Sequence, residues 1–463
     1  MNKPADRPSK SRAASDSDLL QGPLFGRMVL FALPLAASSI LQQLFNSADT
    51  AVVGRFASAQ AMAAVGSNAP VINLIIALFV GLSVGSNVVI SSLIGQKRED
   101  AVSDAVHTSV VIALVTGVLL LFIGLAAAKP LLVLVQTPGD VIGLAVLYLR
   151  IYFLGMPAVM LYNFGSAILR SKGDSRRPLI ALTSAGVINV ILNLIFVIVF
   201  HLHVIGVAAA TVISNIVSAG LTLGFLMKEK GAFHLNPRRL RVSRRQMLVM
   251  MKIGLPAGIQ GVVFSLSNTV IQSAINGFGS TASAGSAAAL NFETINYYAV
   301  NSFSQASVTF TSQNYAAGRY DRCRKIFRIA FLSAAVLSAA LDLSFCLTQD
   351  FWLGIFTADP EVLSYARIRF RHVLIFASMT STYEVAGSTM RSMGYSLTPS
   401  VLMIFGTCLF RIFWTFVIFP HARSYGALLY VYPVSWLLTG TAVLTAYYLL
   451  RRRLFRRTGN AAR

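Results

Sequence analysis

The strongest constraint in this sequence is a succession of apolar runs, twelve in all, each long enough to cross a bilayer and set apart by short polar breaks. A hydrocarbon core of about 30 Å takes roughly 20 apolar residues per helical crossing. Lipid offers no hydrogen bonds to an open backbone, so such runs read as helices whose amides bond within the segment. The expected spans are 27–51, 62–94, 104–128, 142–169, 179–201, 204–227, 247–276, 283–312, 325–347, 362–390, 398–419 and 426–450. Several exceed one crossing, which permits tilt or kinks. Only 12% of residues are charged and 55% are hydrophobic, against roughly 25% charged in an ordinary soluble domain. A soluble enzyme is therefore excluded. Cys323, Cys346 and Cys408 have neither disulfide-framework nor zinc-site spacing and read as packing residues. No GxxxxGK[ST] fingerprint occurs, so ATP drive is unsupported.

A net charge of +22 raises the question of nucleic acid, but the basic residues sit in loops and exclude it as a partner. With the N-terminus inside, the loops on that side carry Lys97 and Arg98; Arg170, Lys172, Arg176 and Arg177; Arg238, Arg239, Arg241, Arg244 and Arg245; Arg319, Arg322, Arg324, Lys325 and Arg328; and the tail Arg451, Arg452, Arg453, Arg456 and Arg457. The opposite loops hold little beyond Arg55, Lys129 and Arg423. The positive-inside rule then places both termini in the cytoplasm. Residues 1–24 are polar, lack the apolar stretch of a cleaved signal, and read as a disordered cytoplasmic tail. One departure is Arg367, Arg369 and Arg371 near the outer end of the tenth span, where snorkelling or pairing with Asp359 or Glu361 is expected.

The longest inside loop falls at the centre of the chain, and the two sides of it repeat. At an offset of 222, Leu33-Pro34 matches Leu255-Pro256, Asn46 matches Asn268, and Gln96 to Glu99 matches Gly318 to Asp321. At 221, Arg170 to Gly173 with Pro178 matches Arg391 to Gly394 with Pro399. The fold class is thus an all-α membrane protein of twelve transmembrane helices in two six-helix lobes. Six is even, so the lobes share an orientation and their pseudo-two-fold axis lies along the membrane normal. The organisation reads as a tail (1–24), an N-terminal lobe (25–228), a basic linker (229–246), a C-terminal lobe (247–450) and a basic tail (451–463). Such a duplication sets a cavity between two lobes, as alternating access requires.

Several motifs occur in order along this frame: Leu33-Pro34, then Asn46 to Gly54 with Asp49; Gly155-Met156-Pro157, Tyr162-Asn163 and Arg170 to Asp174 with Pro178; Asn189 to Phe196; and Gly206 to Ser214 with Thr211. In these residues the chain resembles the multidrug and toxic compound extrusion (MATE) family, from about residue 25 to 450. The resemblance implies a multi-pass protein of the bacterial inner membrane. It implies an antiporter that moves bulky, often cationic, drug-like compounds outward against inward sodium ions or protons, needs no other cofactor, and works as a monomer in the lipid bilayer.

An acid inside a membrane costs a few kcal/mol or more and is a functional candidate by default. Asp49, Glu293, Asp342 and Glu384 lie within spans. Helix 5 enters from inside near 179, so Asn189 and Asn193 stand about 15 and 21 Å up, at about 1.5 Å per residue. They are one turn apart on one face. Thr211 lies in the outer half of helix 6. One carboxylate, two amides and a hydroxyl at similar depth suit a hard monovalent cation, and the carboxylate suits a proton. The plainer alternative for Asn and Thr is interhelical glue. The resemblance implies an N-lobe cation site that falls on Asp49, Asn189, Asn193 and Thr211, with Asn193 standing where an acid is often expected. Helix 7 carries no acid, which disfavours the branch with a glutamate there.

Candidates for the substrate cavity are Glu293, Tyr297, Tyr298, Glu384 and Asn163, carboxylates for cationic compounds and aromatic faces for cation–π contact. Phe303 is a further aromatic face. Packing is the plainer role of each aromatic. Asp342 is left unassigned, and Arg411, deep in helix 11, is expected to pair with an intramembrane acid. Gly81, Gly85, Gly254, Gly258 and Gly261 have the spacing of close helix crossings, and Pro34, Pro157 and Pro256 are candidate bends. A lipid-linked saccharide flippase, which the wider superfamily contains, is the rival reading. It needs a cavity lined by cationic side chains, and only the Arg367 trio offers them.

Overall fold

A computed structural model describes residues 19–461 except 57, 58, 135, 136 and 138. Residues 1–18 of the expected tail lie outside the described residues. The described chain runs through α1 (Leu24–Phe56), α2 (Ala59–Gly95), α3 (Glu99–Leu134), α4 (Ile142–Leu154 and Met156–Ser171), α5 (Arg176–Val199) and α6 (His203–Lys228). After two 3-10 turns come α7 (Arg244–Asn276), α8 (Ser280–Ala316), α9 (Tyr320–Leu347), α10 (Pro360–His372 and Thr380–Ser392), α11 (Leu397–His421) and α12 (Tyr425–Phe455), the last continuing as helix to Ala461. No strand occurs among the described residues.

By length and apolarity alone, nine of these helices qualify as crossings among the described residues, and α4, bent by 48° between its halves, makes a tenth. The bend falls at Gly155, two residues before Pro157, where sequence places a kink. The two that do not qualify are α8, because of where it lies, and α10, because its helix is broken. The lower half of α8 buries Ser302, Ser304, Ser307, Thr309, Thr311, Ser312, Gln313 and Asn314. A helix surrounded by protein needs no lipid-facing apolar coat, and its hydroxyls can bond across to neighbours. Ser304 Oγ lies 2.5 Å from Ser388 Oγ, and Ser307 Oγ 2.9 Å from Thr389 Oγ1. Lipid-side helices read in the opposite way, with Val115, Leu119 and Phe122 on α3 and Phe405, Phe413 and Phe416 on α11 exposed. In α10 the helix is broken by a 3-10 segment, Leu374–Met379, that contains no proline.

Helices α1–α6 and α7–α12 form two lobes that meet along α2 and α7 on one side and α1 and α8 on the other. The first seam is unusually close. A Cβ on Gly81 would lie 2.3 Å from Gly258 Cα, and one on Gly85 would lie 2.2 Å from the Met250 carbonyl oxygen. The glycines singled out by spacing are those that let the two backbones touch. Polar ties between the lobes gather at the end of the bundle that carries the termini and the arginine-rich loops. Thr309 Oγ1 donates to Asn87 Oδ1 at 3.2 Å, and Gln313 Nε2 donates to the Ser171 carbonyl at 2.7 Å. Leu19 and Leu20, counted with the tail in the sequence, are buried there, their carbonyls accepting from Asn314 and Arg319 at 3.2 and 2.6 Å.

The linker after α6 is fastened by charge. Glu229 binds Lys172 Nζ at 2.7 Å and also Arg177. Partial burial pushes the Glu229 carboxyl up, but the hydrogen bonds and charges of Lys172 and Arg177 hold it below its ordinary value of 4.5. A carboxyl so depressed adds stability above its unfolded value and loses it as pH falls through the folded one. Glu229→Gln should therefore unfold at lower temperature than wild type at neutral pH in detergent, with the gap closing below pH 4.5. Gly81→Val should cost at least about 1–3 kcal/mol by overpacking. Gly220→Ala, where an added Cβ meets nothing within 4 Å, should be silent in the same thermal assay.

Candidate functional site

Asp49 lies seven residues before the end of α1, on a stretch whose neighbours Val52 and Val53 are buried. It is itself only 7% exposed. A carboxylate so placed has lost water and must be met by the protein. Asn193 Nδ2 donates to Asp49 Oδ1 at 2.5 Å and lies 3.2 Å from Asn189 Oδ1. Thr211 Oγ1 is 3.4 Å from Asp49 Oδ2 and from Asn189 Nδ2, and donates to the Val207 carbonyl at 2.9 Å. The four residues named from the sequence, on α1, α5 and α6, thus form one cluster. Val65, Val197, Val204 and Ala208 pack with its chain neighbours Val52 and Val53 in one buried apolar cluster.

Two features of the cluster bear on its chemistry. The guests that meet Asp49 are amide and hydroxyl dipoles, and no Lys, Arg or His forms an ion pair with it among the described residues. Asn193 Oδ1 is buried and has no partner. A carboxylate, a spare amide oxygen, a second amide and a hydroxyl make an oxygen-rich pocket for a small cation, and the carboxylate can take a proton instead. Sequence reasoning missed Tyr148 on α4, which stands beside Asp49 and Thr211 and stacks on Tyr152 at 6.2 Å. Its only signal was a pair of tyrosines one turn apart in an apolar run.

The cavity candidates do not form one cluster. Glu293 on α8 is held by Arg369 of α10, Nε to Oε1 at 2.6 Å and Nη2 to Oε2 at 2.9 Å. Arg369 is 2% exposed and also reaches Ser286 Oγ at 2.5 Å. Glu293 is therefore a compensated charge inside the C-lobe. The expected partners of the arginine trio differ as well. Asp359 caps α10 by accepting from the Glu361 and Val362 amides, and Arg367 takes Asp350 at 2.9 Å. Asp359 is thus spent on two of the amides that open the helix, and it forms no ion pair among the described residues.

Tyr297 and Tyr298 stand on the seam. Tyr297 is 43% exposed, and the Tyr298 hydroxyl donates to Gln43 Oε1 of α1 at 3.3 Å. Near Tyr297 lie Glu384 and Arg391 of α10, and Arg391 Nη2 donates to Gln260 Oε1 of α7 at 2.6 Å. The Glu384 carboxylate accepts no hydrogen bond from a described residue. Asn163 gives its amide to the Val159 carbonyl of its own helix at 2.8 Å. Phe303 is buried in the C-lobe core.

In the C-lobe the repeat places different chemistry at the position of the N-lobe cluster. The π turn Ile404–Leu409 of α11 takes up one extra residue, moving the offset from 221 at Pro178 and Pro399 to 222 beyond it. Asn189 then corresponds to Arg411, Asn193 to Thr415, and Asp49 to the buried Ile271. Among the described residues Arg411 does not pair with an acid as expected. Its guanidinium donates to Asn268 Oδ1 at 3.0 Å and Ser435 Oγ at 3.2 Å and lies over Tyr432 at 4.6 Å. The arrangement suits the weakly hydrated, planar guanidinium, which stacks on aromatic faces at low desolvation cost.

Comparison with known proteins agrees with this architecture. The chain is 28% identical over 385 residues to the probable multidrug resistance protein YoeA of Bacillus subtilis, covering 82% of this chain and 83% of that one. It is 24% identical to the probable multidrug resistance protein NorM of Thermotoga maritima, covering 81% of each. A solved outward-facing multidrug resistance MATE family transporter of the MOP superfamily superposes with a TM-score of 0.88 at 22% identity, covering 95% of this chain and 98% of that one. The MatE family model matches twice, over residues 34–195 and 256–417, once in each repeat. With two such matches on a twelve-helix, two-lobed bundle, the chain belongs to the MatE family and is a multi-pass membrane transporter, not an enzyme.

Proposed function

We propose that the protein exports bulky, drug-like organic compounds, many of them cationic, in exchange for a monovalent cation that binds at Asp49. The observation that carries the reading is the Asp49 cluster itself: a buried carboxylate met only by dipoles, with the Asn193 amide oxygen unpaired beside it. An uncompensated acid in oil is expensive unless a cation shares the site, and that cost is what couples ion occupancy to conformation. Related proteins named for multidrug resistance support the choice of cargo. Glu384 and the exposed Tyr297 on the seam supply a charge and an aromatic face for a cationic substrate.

In this reading the arginine-rich end is cytoplasmic, in accord with the positive-inside rule, and the polar ties between Asn87 and Thr309 and between Ser171 and Gln313 close that end. The seam then opens outward. Sodium or a proton entering from outside settles at Asp49, Asn189, Asn193 and Thr211, and the two lobes rock on the α2–α7 crossing. An ion shifts that equilibrium only by its difference in affinity for the two states. The flippase reading is disfavoured, because Arg369 is spent on Glu293 and Arg367 on Asp350, which leaves only the exposed Arg371 of the trio to meet a pyrophosphate.

The test is ion-gradient-driven accumulation of a cationic dye in everted membrane vesicles. Asp49→Asn should reduce uphill accumulation by roughly tenfold or more, the size of an ordinary coupling free energy, while the protein still inserts and unfolds as wild type. Accumulation equal to wild type would remove Asp49 from the coupling site. Asn193→Asp adds a unit charge at contact distance and should raise sodium affinity by roughly tenfold or more, read as a lower half-saturating sodium concentration in the same vesicles.

A further inference from the structure

A second buried carboxylate lies in the other lobe, and neither the fold nor the proposed export cycle accounts for it. Asp342 on α9 is 2% exposed. Asn296 Nδ2 of α8 donates to its Oδ1 at 2.6 Å, and the Ser378 amide, in the 3-10 break of α10, donates to its Oδ2 at 2.9 Å. The titratable groups around it are Glu293 of α8, which is paired with Arg369 of α10, and the neutral Cys346 thiol one turn along α9. Arg369 is thus committed to Glu293, and among the described residues no cation forms an ion pair with Asp342.

Two oxygens at this site have no partner. Asn296 Oδ1, on the amide that bonds Asp342, is buried and unsatisfied, and so is Ser338 Oγ, one turn before Asp342 on the same face of α9. A buried polar atom without a partner costs about 1–3 kcal/mol. Two such oxygens on residues that bond or lie one turn from an unpaired carboxylate suit a small cation, since sodium takes oxygen ligands of this kind and a protonated carboxyl can donate to one of them. The fold does not require the acid: at the repeat offset of 222, Asp342 falls on Leu120 and Asn296 on Leu74, and Leu120 is buried in the N-lobe core. A leucine fills the same place in one lobe that an aspartate fills in the other.

We propose that Asp342, Asn296 and Ser338 form a second monovalent-cation site, for sodium or a proton, in the C-lobe. The inference goes beyond the export cycle and does not rest on Asp49. It also gives the α10 break a function. A cation on the carboxylate weakens the grip of Asp342 on the Ser378 amide, so occupancy bears on the one segment of α10 whose backbone is not α-helical.

The experiment uses the purified full-length protein in detergent, with sodium chloride as the probe. Bound sodium per protein is read by isotope, and proton uptake is read in unbuffered solution as pH is lowered without sodium. Wild type should hold two cations, Asp342→Asn and Asp49→Asn one each, and the double variant none. Sodium binding with no proton uptake assigns the site to sodium, and the reverse assigns it to the proton. Wild-type stoichiometry in Asp342→Asn would overturn the proposal, while loss in Asp342→Asn with none in Asp49→Asn would overturn the export reading and leave this one standing. Ser338→Ala guards against misfolding, because it breaks no hydrogen bond made by the described residues. It should weaken cation binding at this site several-fold, and unchanged binding would mark Asp342 as a tie for the α10 break and nothing more.

Discussion

A charge inside this bundle has to be answered, and the way each one is answered separates the parts of the structure. The cost of an unmet charge is several kcal/mol, and the chain uses three answers. Glu293 and Arg369 answer each other through a two-pronged ion pair. Arg411 is met by an amide oxygen, a hydroxyl and the face of Tyr432. Asp49 is met only by dipoles that also leave an oxygen unpaired. The first two arrangements are permanent. In the proposed reading the third is completed by a small cation, and a site that is filled and emptied is what a transporter needs.

The duplication sharpens this contrast. Both lobes descend from one six-helix plan, yet the position of Asp49 holds Ile271 in the C-lobe, and the position of Asn189 holds Arg411. A guanidinium there supplies from within the chain the positive charge that, in the proposed cycle, the N-lobe takes from an exchangeable ion. The seam is likewise unequal. Glycines let α2 and α7 touch backbone to backbone, whereas α1 and α8 meet through bulkier side chains such as Phe31 and Phe310, 5.7 Å apart. Packed interfaces favour discrete arrangements over gradual deformation, so a tight crossing on one side and a looser one on the other suit a rocking motion about α2 and α7.

Much of this was legible in the sequence because the signals were chemical and local. Apolar runs gave the spans, and the 222-residue offset gave the two lobes. Asp49, Asn189, Asn193 and Thr211 were readable because depth and helical spacing brought them to one level, and the structure joins them. What the sequence hid were partners far apart in the chain. Glu293 looked like a cavity charge because Arg369 lies 76 positions away, and periodicity carries no sign of which helix packs on which. Asp342 had no motif, since its meaning comes from Asn296 and from a helix break without proline. The polar lower half of α8 also dilutes its membrane signal, because a helix wrapped in protein is freed from the composition that lipid imposes.

The most direct measurement of the central claim is flux through the purified protein in sealed liposomes, with sodium and proton gradients imposed separately and in both directions. The account predicts that a cationic dye moves uphill against one of the two gradients and that reversing that gradient reverses the direction of dye movement. Dye flux that is blind to both gradients would contradict it.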